Sequence, residues 1–350
     1  MQNRNYYLLA LLLLPVLLLG GCWNIKDINK RFFPLIIAVS KEDDETYKVT
    51  LQIPIPQNVS ESSRIVTVED KSVASALGHI QTNSEDVMDY SQTQLIFVHS
   101  SLANDQAAMQ DLIHFIMRAN EIPSRALVAI TDDTIEDLLT NINEKLGTQT
   151  SSVYDYFNKG YDWAPEIFSV PIWKAYQSLF IYTKDLAIPV VRAGKDTVFE
   201  FDGVDIFKKG EKVARISPLE GLLINMLQDR GESGEIEGLE SSSVIITGST
   251  LKNKVTIKNK QPSIAVDLHL KIRILEKQQH LTNKQIQRQL EKRVEQRFYK
   301  VFNQLQEKQT DAFGFGQHFR GSIPYAELKN WREAYYSHLK VHFNVHTTVE

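Results

Sequence analysis

Residues 263–275, SIAVDLHLKIRIL, alternate without a break. Ile264, Val266, Leu268, Leu270, Ile272 and Ile274 fall on one side of an extended chain, and Ala265, Asp267, His269, Lys271 and Arg273 on the other, because successive strand side chains point to opposite faces. This predicts a sheet with one buried and one wet face, the pattern of antiparallel sheets. The preceding KNKVTIKNKQP is expected to pair with the strand antiparallel. A long helical period follows. Thr282 stands as its N-cap, and Ile286, Leu290, Val294, Phe298, Val301 and Leu305 form one stripe, which suits a helix packed on the apolar face of the sheet. The closing LKVHFNVHTTVE alternates again and reads as a terminal strand.

Upstream, FFPLIIAVSKEDDETYKVTLQIPI reads as a hairpin that turns at Lys41–Glu45 and ends at Pro54 and Pro56, since proline cannot donate to a ladder. Helical spacing of Val73, Ala76, Leu77 and Ile80 predicts a helix over Asp70–Gln81. QLIFVHS and ALVAIT are short buried strands. Between them SLANDQAAMQDLIHFIMRAN is amphipathic and helical, and a shorter helix covers Thr134–Ile142. Residues 148–186 are aromatic and helix-like. TVFEFDGVDIFKKGEKVARIS is a hairpin turning at Lys208–Glu211, PLEGLLINMLQDR is a helix with Pro218 in its first turn, and GESGEIEGLESSS is a loop. The fold class is therefore α+β, a mixed α/β chain of several domains with antiparallel sheets packed against helices. Three domains are expected. Residues 22–195 form an N-terminal region, an α/β lobe plus an aromatic helical subdomain, and residues 196–350 form a C-terminal α+β domain.

The one cysteine of the 350 residues is Cys22. Before it come Arg4, an apolar run from Tyr6 to Leu19 broken by Pro15, and then Leu19-Gly20-Gly21. That run suits a signal h-region, roughly 7–15 apolar residues, better than a spanning helix of about 20. Small residues let an extended backbone enter a peptidase cleft, and the thiol can carry a thioether-linked diacylglycerol. Residues 1–21 are thus expected to be a signal peptide, and Cys22 the lipid-bearing first residue of the mature chain. Two acyl chains anchor stably where one is marginal. With no second thiol, disulfides, thiolate zinc sites and cysteine nucleophiles are excluded.

The net charge of -4 hides an asymmetry. Residues 41–157 carry 19 Asp/Glu against 7 Lys/Arg, and residues 271–340 carry 14 Lys/Arg against 7 Asp/Glu. The basic part suits anionic headgroups or an acidic partner as well as a plain solvated surface. His342 and His346 share a strand face but lack a third ligand. The glycines of FGFG precede no phosphate-loop lysine, and no hydrolase or metalloprotease signature is found. No enzyme, cofactor, metal or nucleic-acid role is expected.

One stretch is more specific than packing alone requires: DAFGFGQHFRGSIPYAELKNWREAYYSHLKVHFNV. Asp311 is placed to cap a short turn. Phe313 and Phe315 alternate with Gly314 and Gly316, so rings bury where the backbone turns tightly. Arg320 is expected to meet an acid or backbone carbonyls, and Trp331 and Tyr335 to share a helix face. The expected role is a packed structural corner.

This stretch, with GCWNIKDIN, LIFVHSSLA, LIHFIMRANEIPSRALVAIT and VDIFKKGEKVARISPLEGLLINML, resembles the Ger(x)C family of spore-germination lipoproteins. The matching positions are Cys22, Trp23, Asp311, Phe313, Gly314, Phe315, Gly316 and Trp331. Asn24 departs from the acid usual after the Cys-Trp pair, and LIIAVSKED replaces a glycine-rich strand. The resemblance implies a non-enzymatic subunit of a nutrient germinant receptor, folded as three mixed α/β domains. It would be lipid-anchored on the outer face of the spore inner membrane, beside integral-membrane A- and B-type subunits. The competing reading is a solute-binding lipoprotein of an import system, which should show two lobes of βα units around a cleft. An envelope hydrolase would need an acid/base pair that is not found.

Overall fold

The computed structural model describes residues 30–55, 63–146, 152–158, 169–228 and 236–350. The first part runs β1 (Arg31–Phe32), β2 (Ile36–Lys41), β3 (Tyr47–Pro54), β4 (Ser63–Asp70), α1 (Val73–Asn83), β5 (Val87–Met88), β6 (Leu95–His99), α2 (Ser100–Ala103), α3 (Gln106–Arg118), β7 (Leu127–Thr131), α4 (Ile135–Leu146), α5 (Ser152–Asn158), α6 (Ile172–Phe180) and β8 (Leu186–Ala193). The second runs β9 (Phe199–Lys208), β10 (Glu211–Ile216), α7 (Pro218–Leu227), β11 (Ile236–Gly238), β12 (Ser242–Lys258), β13 (Gln261–Lys277), α8 (Asn283–Glu307), α9 (Tyr325–Leu328) and β14 (Lys340–Val349).

Eight strands form one sheet in the order β10-β9-β8-β7-β6-β2-β3-β4. The β2–β3 hairpin pairs Val39 with Val49, and β6 and β7 lie parallel to β2 through Phe97 and its neighbours. Both faces of β2 are covered, which is why its sequence is apolar throughout rather than alternating. Ile37 and Val39 join the core under α1 and α3, whereas Ile36 and Ala38 join the one under α4 and α5. The helix expected over 101–120 is divided, because Asp105 caps α3 by accepting from Ala108 N. The hairpin β9–β10 turns at Lys209 and Gly210, both at positive φ, as a two-residue hairpin loop requires. It extends the sheet through β8, so the connection containing residue 195 lies inside one continuous sheet and not between two lobes around a cleft.

The other large sheet has the order β11-β12-β13-β14. β12 and β13 are antiparallel as expected, joined by a turn at Asn259 and Lys260, again both at positive φ. Every expected inward residue of β13 from Ile264 to Ile272 is buried. β12 starts at Ser242 and β11 occupies Ile236–Gly238, so the stretch read as a Gly/Ser/Glu loop holds strand. Glu237 explains part of this: it is buried against the guanidinium of Arg297 (Nη2 to Oε2 3.1 Å), a long-range pairing that local composition does not report. The helical reading of 148–186 holds at α5 and α6, and Trp163 lies outside the described residues.

Helix α8 starts at a capping box made by Thr282 and Gln285. Its expected stripe is buried from Ile286 to Leu305. The chain then returns as β14, parallel to β13 with Leu268 opposite Val345, since a helical crossover is what a parallel pair needs. The free edge of β14 is satisfied from the helix. Tyr299 Oη, Glu295 Oε1 and Glu291 Oε1 accept from Phe343 N (3.1 Å), Val345 N (3.3 Å) and Thr347 N (2.9 Å). Helix positions four apart lie in one row, and alternate strand amides face one way, so the two periods meet and cover an edge that would otherwise template pairing.

Candidate functional site

The corner between α8 and β14 is built around two buried carboxylates. Asp311 is fully buried, and its side chain accepts from Phe315 N (2.9 Å), Gly316 N (2.8 Å) and Trp331 Nε1 (2.9 Å). It therefore caps the 3₁₀ turn Phe315–Phe319, as expected, and also holds the indole. Gly314 opens that turn at φ +73°, a left-handed conformation that suits glycine. Gly316 is needed for space: a Cβ there would lie 2.6 Å from the Trp331 ring and 2.8 Å from Thr183 O. Phe313 and Phe315 stack at 5.4 Å, and Phe313 meets Phe298 of α8 at 5.3 Å. Phe298 in turn stacks on Phe343 of β14 at 4.0 Å.

The second carboxylate is Asp185, just before β8. It accepts from Asp311 N (2.7 Å) and from Arg332 Nη2 (2.6 Å) and Nε (3.1 Å), and its own N–H donates to Asp311 O (2.9 Å). Arg332 Nη2 also donates to Ile181 O (3.0 Å), and Gln317 to Thr183 Oγ1 (2.6 Å). Residues 181–185 lead into the eight-stranded sheet, so this network rivets that sheet to the C-terminal corner. Sequence reading singles out Asp311, Phe313, Gly314, Phe315, Gly316 and Trp331, and the structure brings them together here. It does not find Asp185 and Arg332, whose pairing spans 147 residues and leaves no local periodicity.

Arg320 departs from its expected role. It is exposed at the end of the 3₁₀ turn and, among the described residues, donates to the side-chain oxygen of Gln317 (3.3 Å) rather than to an acid. The acid-pairing role belongs to Arg332, which meets Asp185. Trp331 and Tyr335 do share a face, with rings stacked 6.1 Å apart along a π-helical turn. Cys22 and Trp23 lie outside the described residues.

The oxygens of Asp185 and Asp311 face protein donors, and both residues are buried. Among the described residues no group of three His, Cys, Asp or Glu could hold a metal. Burial pushes the Asp311 carboxyl up to about 7, against the pull of the Gly316 and Trp331 donors. A raised carboxyl stabilises the fold in acid: the contribution is full below the ordinary 3.8 and is lost as pH rises through about 7. Asp311 is therefore expected to add stability at about pH 5 relative to about pH 8, against the opposite contribution of His318, whose imidazole is held below its ordinary range by burial. Asp311→Asn is expected to shift the difference in melting between about pH 5 and about pH 8 toward the higher pH. Thermal unfolding followed by circular dichroism checks this; an unchanged difference in the variant would place the titrating group elsewhere.

Comparison with known proteins agrees with this architecture. The family described as "Spore germination protein N-terminal domain" matches residues 24–193, and "Spore germination B3/ GerAC like, C-terminal" matches residues 202–350. Spore germination protein B3 of Bacillus subtilis (strain 168) is 24% identical over 336 residues, covering 88% of this chain and 87% of B3. Spore germination protein A3 of the same organism is 24% identical over 234 residues, 63% of this chain and 60% of A3. The crystal structure of the GerBC protein has the same fold, with a TM-score of 0.60 at 18% identity over 89% of this chain and 96% of GerBC. Two family matches that together take in nearly all of the chain, in the order of its two parts, establish that it belongs to the spore germination B3/GerAC-like family.

Proposed function

We propose that this chain is the lipid-anchored C-type subunit of a spore germinant receptor. It would be acylated at Cys22, held on the outer face of the spore inner membrane, and assembled with integral-membrane A- and B-type subunits that together trigger germination when nutrients bind. The observation that carries the reading is the pair of family matches over residues 24–193 and 202–350. The cleavage pattern Leu19-Gly20-Gly21-Cys22 supports the anchor, and no helix among the described residues is long and apolar enough to cross a membrane. The part is a scaffold, not a catalyst. A tether raises the effective concentration of the chain beside a membrane partner without any new contact, and the riveted corner at 311–332 holds α8 and β14 rigidly for presentation.

Cys22→Ala is expected to abolish incorporation of labelled lipid, since the sequence offers no second thiol. The variant should leave the membrane fraction or persist as uncleaved precursor. Labelling equal to that of the unmodified chain would refute the anchor.

A further inference from the structure

The four-stranded sheet buries one face and leaves the other to solvent. On the open face β12 presents Lys252, Lys254 and Lys258, β13 presents Lys271 and Arg273, and β14 presents Lys340, all exposed. These six cations are opposed on that face by two carboxylates, both engaged. Asp267 accepts from Asn344 (3.0 Å) and Glu350 pairs with Arg273 (3.4 Å). The remaining outward positions of the three strands between 248 and 258, 263 and 273, and 340 and 348 are Thr, Ser, Gly, Ala, Asn and His.

We infer that this open face docks on an anionic lipid surface. Three features select that occupant. The cations are spread across three neighbouring strands, so they meet a plane and do not converge on one small anion. The face carries no Trp or Tyr anchor of the kind a protein–protein hot spot needs, and its large apolar side chains, Ile245 opposite Arg273 and the half-exposed Leu275, lie together at one end, outside the lysine-bearing area. Juxtaposed lysines and arginines are drawn to negatively charged leaflets, each contributing severalfold to partition. The inference rests on the proposed anchor for proximity: eight residues lie between Cys22 and Arg31, a span that extended chain geometry limits to about 30 Å. The acyl chains hold the protein at the membrane, and the cationic face sets which side it turns to the headgroups.

The test uses the acylated full chain on vesicles of phosphatidylcholine alone or with a third phosphatidylglycerol, and reads lysine acetylation by mass spectrometry. Lys254, Lys258 and Lys271 are expected to react about fivefold more slowly on the anionic vesicles, and the difference to collapse at high salt. Lys71 and Lys195, exposed elsewhere, should react equally on both. In a chain carrying K252Q, K254Q, K271Q and K340Q, Lys258 should lose its protection while the protein stays on both vesicles. Equal reactivity of the three lysines on the two kinds of vesicle would overturn the inference. So would protection that appears only when polytopic subunits are added, which would make the face a protein interface. Retention on phosphatidylcholine vesicles reports the anchor separately, so the two readings fail independently.

Discussion

Arg332→Met is expected to destabilise the fold by about 3–5 kcal/mol, because removing one partner of a buried ion pair strands the other charge. Arg332 is 8% exposed and Asp185 2%, so water cannot rescue the carboxylate. The loss should fall on the join between the two sheets, since Asp185 immediately precedes β8 while Arg332 lies in the corner after α8. Asp185→Leu alone should cost a similar amount, and the double variant less than the sum, because replacing a buried pair by apolar groups is often close to neutral. Rescue will be partial: Asp311 N and Ile181 O lose their partners in the double variant. Denaturant unfolding of the four proteins measures the coupling. Additive losses would mean that the two side chains act separately.

Leu268→Asp should be more severe still, above about 4 kcal/mol, for it buries an unpaired charge in the middle of β13. Leu268 is 0% exposed, beside Val345 of β14 and Leu251 of β12. One residue on, His269→Asp should shift stability by about 0.5 kcal/mol or less, because a single step along a strand swaps faces. His269 stands on the open side, its ring stacked 4.9 Å from His346. The pair of melting temperatures is the check, and equal shifts would contradict the register.

Much of this fold is legible without coordinates where period and turn chemistry agree. The alternation of β13 names its buried residues one by one, and the Lys208–Glu211 turn stands where Lys209 and Gly210 take positive φ. Thr282 caps α8 as read. What escapes is long-range. Alternation says that 340–349 is a strand but not that it runs parallel to β13. The hairpin β9–β10 reads correctly as a hairpin, yet nothing in it states that it joins the sheet begun at β2. The site shows the same division. Glycines and rings at 313–316 announce a tight buried turn, and Asp311 its cap, because those constraints act within five residues. Asp185 is one acid among many until the fold sets it against Arg332. Arg320 looks as eligible for that role as Arg332, and only burial separates them.

The central claim, a tethered subunit that works through membrane partners, is tested most directly by purification from spore membranes in a gentle detergent. With the chain tagged at its C-terminus and acylated, integral-membrane A- and B-type receptor subunits are expected to copurify at comparable abundance. They should be lost together with the chain when Arg332→Met unfolds the corner. A folded, acylated chain that comes off alone, or with the permease of an import system, would contradict the account.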